Sequence, residues 1–300
     1  MRPLRALVIY LIIVFLGGAL LAPWLYRLTR FAPSSIAYVA KAPLHRAELG
    51  AFGLLALVGF WPLRRRLGIA SWRETGLVSP RGQWRKVAGG LGLGIAAVVL
   101  AAGFAFARTG RTLAHDLSPH KVTGVVFGAL AAAAVAAVLE EILFRGGIFG
   151  GLRRTFYWPL ALVASAAIYA FAHFLQHPDS TGPVLWYSGL GLLLRMLGGF
   201  GDIQALAPGF LNLVLAGMLL GLAYQRTGNL YFSIGLHAGW ILCLKLYANL
   251  TAAGLRAATG FWGTDKLIDG WMACLALAAT LALVKWLPLR PAREPFAITR

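Results

Sequence analysis

The chain is 300 residues long, 59% hydrophobic and only 13% charged, with a formal net charge of +18. That composition excludes an ordinary soluble globular domain. It also argues against a nucleic-acid partner, because the basic residues sit between long apolar runs, where they set topology and contact anionic lipid. The expected fold class is all-α: a polytopic transmembrane helical bundle of about eight spans, built as one membrane domain because no long polar linker interrupts it.

Hydropathy places the spans at about 6–26, 48–62, 87–107, 122–147, 157–175, 209–226, 230–250 and 268–288. The first follows Arg2 and Arg5 and lacks a clear small-x-small cleavage site, so it reads as a span or uncleaved anchor. The pairs Gly90/Gly94 and Gly217/Gly221 have the small-xxx-small spacing that lets helix backbones approach. The piece 184–197 is short, contains Arg195 and reads as interfacial or re-entrant. Cys243 and Cys274 both fall in spans and imply no disulfide framework. With the N-terminus inside, eight spans put Arg2, Arg5, Arg64, Arg65, Arg66, Arg73, Arg81, Arg85, Lys86, Arg145, Arg153, Arg154, Arg226 and Lys285 on the cytoplasmic side. The tail residues Arg290, Arg293 and Arg300 join them there, whereas a ninth span would put that tail outside, so both termini are expected in the cytoplasm. Three regions follow: 1–121, N-terminal helices and a basic cytoplasmic loop; 122–250, a helical core; 251–300, a C-terminal helix and basic tail.

The core carries the chemistry. An apolar run from Val122 reaches Glu140-Glu141-Ile142-Leu143-Phe144-Arg145 without an earlier charge. A carboxylate at the centre of a membrane helix costs about 2.5–3.5 kcal/mol on insertion scales, so an intramembrane acid is a functional signal. At about 100° per residue, Glu141 and Arg145 share a face as an i,i+4 pair in the favourable order, while Glu140 points elsewhere. Glu141–Arg145 therefore reads as a mainly structural ion pair and Glu140 as the carboxylate free to act. The plain alternative is that both acids are solvated at the cytoplasmic end of the span.

Of the six histidines, His173 and His237 are embedded in apolar helical sequence; His45, His115, His120 and His177 fall in loops or at span ends. At about 1.5 Å per residue, Glu140, His173 and His237 can meet in one cavity open to the cytoplasm, with His173 the poorest fit in depth. A lone intramembrane histidine most often bonds a neighbouring helix; two histidines and a Glu pair on separate helices point to a shared site.

Glu-Glu-x-x-x-Arg at 140–145, aromatic-x-x-x-His at 169–173, and Asn229-Leu230 followed by Gly-Leu-His at 235–237 resemble the three motifs of the CPBP (CAAX protease and bacteriocin-processing, or Abi) intramembrane endopeptidases, over about residues 120–250. Two departures stand out. Tyr169 occupies a position where the family usually has Phe, and Ile241 one where it usually has Asn or Asp. If that amide helps hold an oxyanion, another donor must serve, and Asn212 is a candidate.

The resemblance implies an intramembrane endopeptidase that hydrolyses a peptide bond in a membrane-associated peptide or protein. Glu140 and His173 would activate a water and His237 would donate to the oxyanion, with Glu141 and Arg145 completing the catalytic set. No cofactor is expected. The competing enzymatic scheme makes Glu140, His173 and His237 a His₂Glu zinc site, although no His-Glu-x-x-His favours zinc independently. A transporter would suit the same polar set but lacks an internal repeat. The more serious rival is a catalytically silent immunity or scaffold protein, because of Ile241. The Ala-, Arg- and Leu-rich composition points to a bacterial cytoplasmic membrane.

Overall fold

Apolar runs of this length satisfy their backbone groups in lipid by forming α-helices, and the computed structural model of the chain is helical nearly throughout. It describes residues 2–32, 41–179, 182–252, 260–264 and 266–289. The basic tail from Arg290 onward, expected on the cytoplasmic side, lies outside the described residues.

In chain order the helices are α1 (Arg2–Ile12), α2 (Gly18–Thr29), α3 (Leu44–Arg66), α4 (Trp84–Thr109), α5 (Pro119–Glu140), α6 (Gly150–Leu152), α7 (Trp158–Phe174), α8 (Ser188–Met196), α9 (Ile203–Thr227), α10 (Tyr231–Leu250) and α11 (Trp271–Trp286). Two π-wound stretches, Ile13–Gly17 and Glu141–Phe149, join α1 to α2 and α5 to α6. A two-residue antiparallel ladder pairs β1 (Thr112–Leu113) with β2 (Thr251–Ala252), Thr112 opposite Ala252.

Five helices among the described residues are long and apolar enough to cross a membrane: Pro3–Thr29, Leu44–Arg66, Trp84–Thr109, Pro119–Leu152 and Leu206–Thr227. The protein is a multi-pass membrane protein. The expected count of about eight is not reached by these criteria. The segments expected at 157–175 and 268–288 form apolar helices of 17 and 16 residues, about 24–26 Å long against a hydrocarbon core of about 30 Å. The segment expected at 230–250 is a 20-residue helix whose Ser233, His237, Lys245 and Asn249 lower its hydropathy. The expected short span 48–62 is a 23-residue helix. Segment 184–197 forms only the nine-residue α8, at about 14 Å too short to cross.

The chain divides into two units, residues 1–68 with 174–203, and residues 69–173 with 204–300. In the first, α2 lies against α3 with Gly18 pressed on the Phe52 ring, and α8 meets α2 where Gly189 abuts the Ala19 carbonyl. The Tyr10 hydroxyl donates to the Ala56 carbonyl at 2.8 Å.

The second unit contains every expected site residue. Its tightest seam is α4 on α10. Gly90 and Gly94 face the carbonyls of Phe232 and Leu236, and in return Gly235 and Gly239 face those of Val87 and Leu91. A Cβ at any of the four would strike backbone, so the seam requires glycine on both helices. Gly217 and Gly221 pack α9 on α7, against Ala166 and Leu162. Helix α5 buries only its stripe of Ala129, Ala133 and Ala137, while Phe127, Leu130 and Val135 are exposed. Small residues inward and large apolar residues outward is the packing expected in lipid. The Arg226 guanidinium, at the end of α9, donates to the carbonyls of Lys285 and Leu287 and caps α11.

Candidate active site

The site forms where α5 ends. Glu140 is its last residue, and the backbone then winds as a π-helix through Phe149 rather than as the α-helix assumed from sequence. Such π segments recur at functional sites. Here the wide turn carries Gly146 against the loop below: a Cβ at Gly146 would lie 2.7 Å from the Thr75 carbonyl oxygen. That loop is fastened by Glu74, which accepts from Ser71 and, at 2.6 Å, from Arg154. The Arg154 hydrogen bond holds the Glu74 carboxyl below its ordinary range.

The two adjacent acids have different surroundings. Glu141 is fully buried, and its Oε1 lies 3.0 Å from Arg145 Nη1. Arg145, itself buried, also donates to the Gly217 carbonyl at 3.4 Å and sits 4.4 Å over the Tyr169 ring. Glu140 keeps 28% of its side chain exposed. Its Oε2 lies 3.1 Å from Nε2 of His173 on α7 and 3.7 Å from Nε2 of His237 on α10. Glu140 is thus the more open carboxylate and the one that meets both imidazoles.

Each imidazole is aimed by its other nitrogen, whose partner sets the tautomer. His173 Nδ1 faces the Tyr169 carbonyl one helical turn earlier, at 2.9 Å. That contact orients the ring so that Nε2 is turned to Glu140. His237 Nδ1 faces Glu141 Oε1 at 3.0 Å and is fixed in the same way. Glu141 therefore supports both Arg145 and His237, a double role that helix spacing did not reveal. Around them, Tyr169 stacks 4.1 Å from His173 in a tilted arrangement, Phe144 meets Tyr169 edge-on at 5.1 Å, and Trp240 lies 6.3 Å from His237.

All five expected residues, Glu140, Glu141, Arg145, His173 and His237, are brought together. His173, the poorest fit by depth, makes the shortest contact with Glu140. The helix that carries it, α7, begins only at Trp158, and the turn before it adds no helical rise to its depth. Asn212 is not at the site: its Nδ2 donates to the Ile268 and Gly270 carbonyls at 2.7 and 2.8 Å, fixing the chain before α11. Ile241, one turn beyond His237, brings no polar atom. The Tyr169 hydroxyl reaches to 3.5 Å from His237 Nε2, and its only sequence sign was a tyrosine where the motif usually has phenylalanine.

Glu140, His173 and His237 present the atom types that a His₂Glu zinc site would use. Among the described residues, however, no group of three or more His, Cys, Asp or Glu side chains is arranged to hold a metal ion.

Residues 122–243, which contain all five of these side chains, match the family model described as type II CAAX prenyl endopeptidase Rce1-like. No curated protein and no solved structure matches the chain. In sequence, and in the motifs that this geometry assembles, residues 122–243 resemble the CPBP family of CAAX-protease-like membrane endopeptidases.

Proposed function

We propose that the protein is an intramembrane endopeptidase that hydrolyses a membrane-proximal peptide bond using a water activated by Glu140. One observation carries the reading: a half-open carboxylate lies within 3.1 and 3.7 Å of imidazole nitrogens from two other helices. Peptide hydrolysis needs a base for water and donors for the tetrahedral oxyanion, and these side chains supply both kinds of group. Glu140 takes a proton from the water as its oxygen bonds to the scissile carbonyl carbon. His173, anchored on the Tyr169 carbonyl, holds Glu140 and the water in line. His237, supported by buried Glu141, stands beside the carbonyl oxygen as negative charge develops there. Glu140 then returns its proton to the leaving amine as the C–N bond breaks, so the net change is addition of one water. A positioned general base contributes roughly 10²–10⁴-fold.

No metal takes part in this scheme, and activity that survives exhaustive chelation is its expected outcome; activity lost on chelation and restored by zinc would favour the His₂Glu alternative. The substrate is a membrane-associated peptide or protein, cut from the cytoplasmic side of a bacterial cytoplasmic membrane. Comparison of membrane proteomes from cells carrying wild-type and Glu140→Gln protein tests the whole reading. Accumulation of one uncut precursor in the variant is expected. Identical profiles would contradict proteolysis, and a protective role retained by the variant would favour the silent scaffold, the reading that Ile241 keeps open.

A further inference from the structure

Within this reading of the site as a hydrolase, one donor has no assigned task. The Tyr169 ring is buried and clamped on three sides, by His173 at 4.1 Å, Phe144 at 5.1 Å and the Arg145 guanidinium at 4.4 Å. Its hydroxyl is left at 3.5 Å from His237 Nε2, long for a hydrogen bond. The clamp fixes the ring, while the O–H can rotate. His237 Nδ1 is engaged by Glu141, so His237 has at most one hydrogen, at Nε2, to offer an oxyanion, and a second donor must come from elsewhere. Asn212 spends its amide hydrogens elsewhere, and Ile241 has none to give.

We infer that Tyr169 is a catalytic residue, whose hydroxyl turns from His237 Nε2 to the scissile carbonyl oxygen and donates a hydrogen bond to it as negative charge develops. The spacing suits this. Two groups 3.5 Å apart can both stand about 2.8 Å from one oxygen, with about 75° between them, within the range of oxyanion donors. Tyr169 keeps its proton throughout and forms no covalent bond.

Tyr169→Phe removes one oxygen and keeps the clamp. The probe is the precursor that accumulates in Glu140→Gln membranes, purified and presented in phosphatidylethanolamine–phosphatidylglycerol vesicles. The variant is expected to lose about 10²–10³-fold in kcat, the usual effect of deleting one oxyanion donor, with KM within about twofold. A kcat within about threefold of wild type would overturn the proposal. A second readout needs no substrate: with ¹⁵N-labelled histidine, the His237 Nε2 resonance should shift between wild type and Tyr169→Phe, and an unchanged resonance would contradict the contact. Glu140→Gln separates the two levels of inference. If it blocks cleavage and Tyr169→Phe does not, only the role of Tyr169 falls; if no precursor accumulates, the hydrolase reading falls and this proposal with it.

Discussion

Among the described residues two carboxylates are fully buried, one in each unit, and their surroundings differ. Glu141, in the unit of residues 69–173 and 204–300, meets Arg145 and His237, each at 3.0 Å. Glu48, in the unit of residues 1–68 and 174–203, has no hydrogen-bond partner at either oxygen among the described residues. Burial alone therefore does not make a site. What distinguishes the second unit is that its buried acid orients other groups, and that a second acid beside it, Glu140, stays partly open with two imidazoles in reach.

Removing the cation from the paired acid should produce the largest stability effect. Arg145→Met leaves Glu141 buried without its cation, and losing one partner of a buried pair costs about 3–5 kcal/mol. Thermal unfolding in detergent should show a large drop in Tm, with cleavage weakened because Glu141, the anchor of His237, has lost its cation. A near-wild-type Tm would mean that Glu141 and Arg145 are not coupled.

The opposite sign is expected in the first unit. Glu48→Met exchanges unpartnered polar atoms for an apolar side chain of similar length. Leaving a buried polar group unsatisfied costs about 1–3 kcal/mol, so the variant should be at least as stable as wild type, with unchanged cleavage. Loss of cleavage in a stable Glu48→Met protein would make Glu48 a functional acid and dissolve the contrast.

The smallest effect belongs to the loop below the π segment. Arg154 lowers the Glu74 pKa from its ordinary 4.5, so the folded state binds this proton less readily than the unfolded chain. That stabilisation is present above pH 4.5 and fades as pH falls through the lower folded value. The pair is partly exposed, which limits it to about 1 kcal/mol or less. Wild type should exceed Glu74→Gln slightly in Tm near neutrality, and the two should converge in acid. A gap that widens on acidification would contradict the assignment.

The comparison also shows what could be read from sequence. Glu140, Glu141, Arg145, His173 and His237 stood out because polar side chains inside long apolar runs are rare and expensive, and the helical class followed from the same runs. Glu48 did not stand out, since it opens the expected span 48–62, whereas α3 begins a full turn earlier at Leu44. The π winding of residues 141–149 has no compositional signature; it is recognisable only when Gly146 meets Thr75 from a distant loop. The tie from Glu141 to His237 joins residues on different helices, which helical periodicity cannot report. The span count was least legible, because α7 and α11 are apolar but short and α10 is long but polar.

The central claim is that Glu140 is the reacting acid and Glu141 its buried support. The most direct test compares cleavage of the accumulated precursor by purified wild-type and Glu140→Gln protein in vesicles, with a strong chelator present throughout. The account predicts that wild type cuts at its full rate under chelation, while the variant, folded to the same Tm within about 2 °C, is slower by at least about 10²-fold. Cleavage by the folded Glu140→Gln protein at a rate near wild type would contradict it.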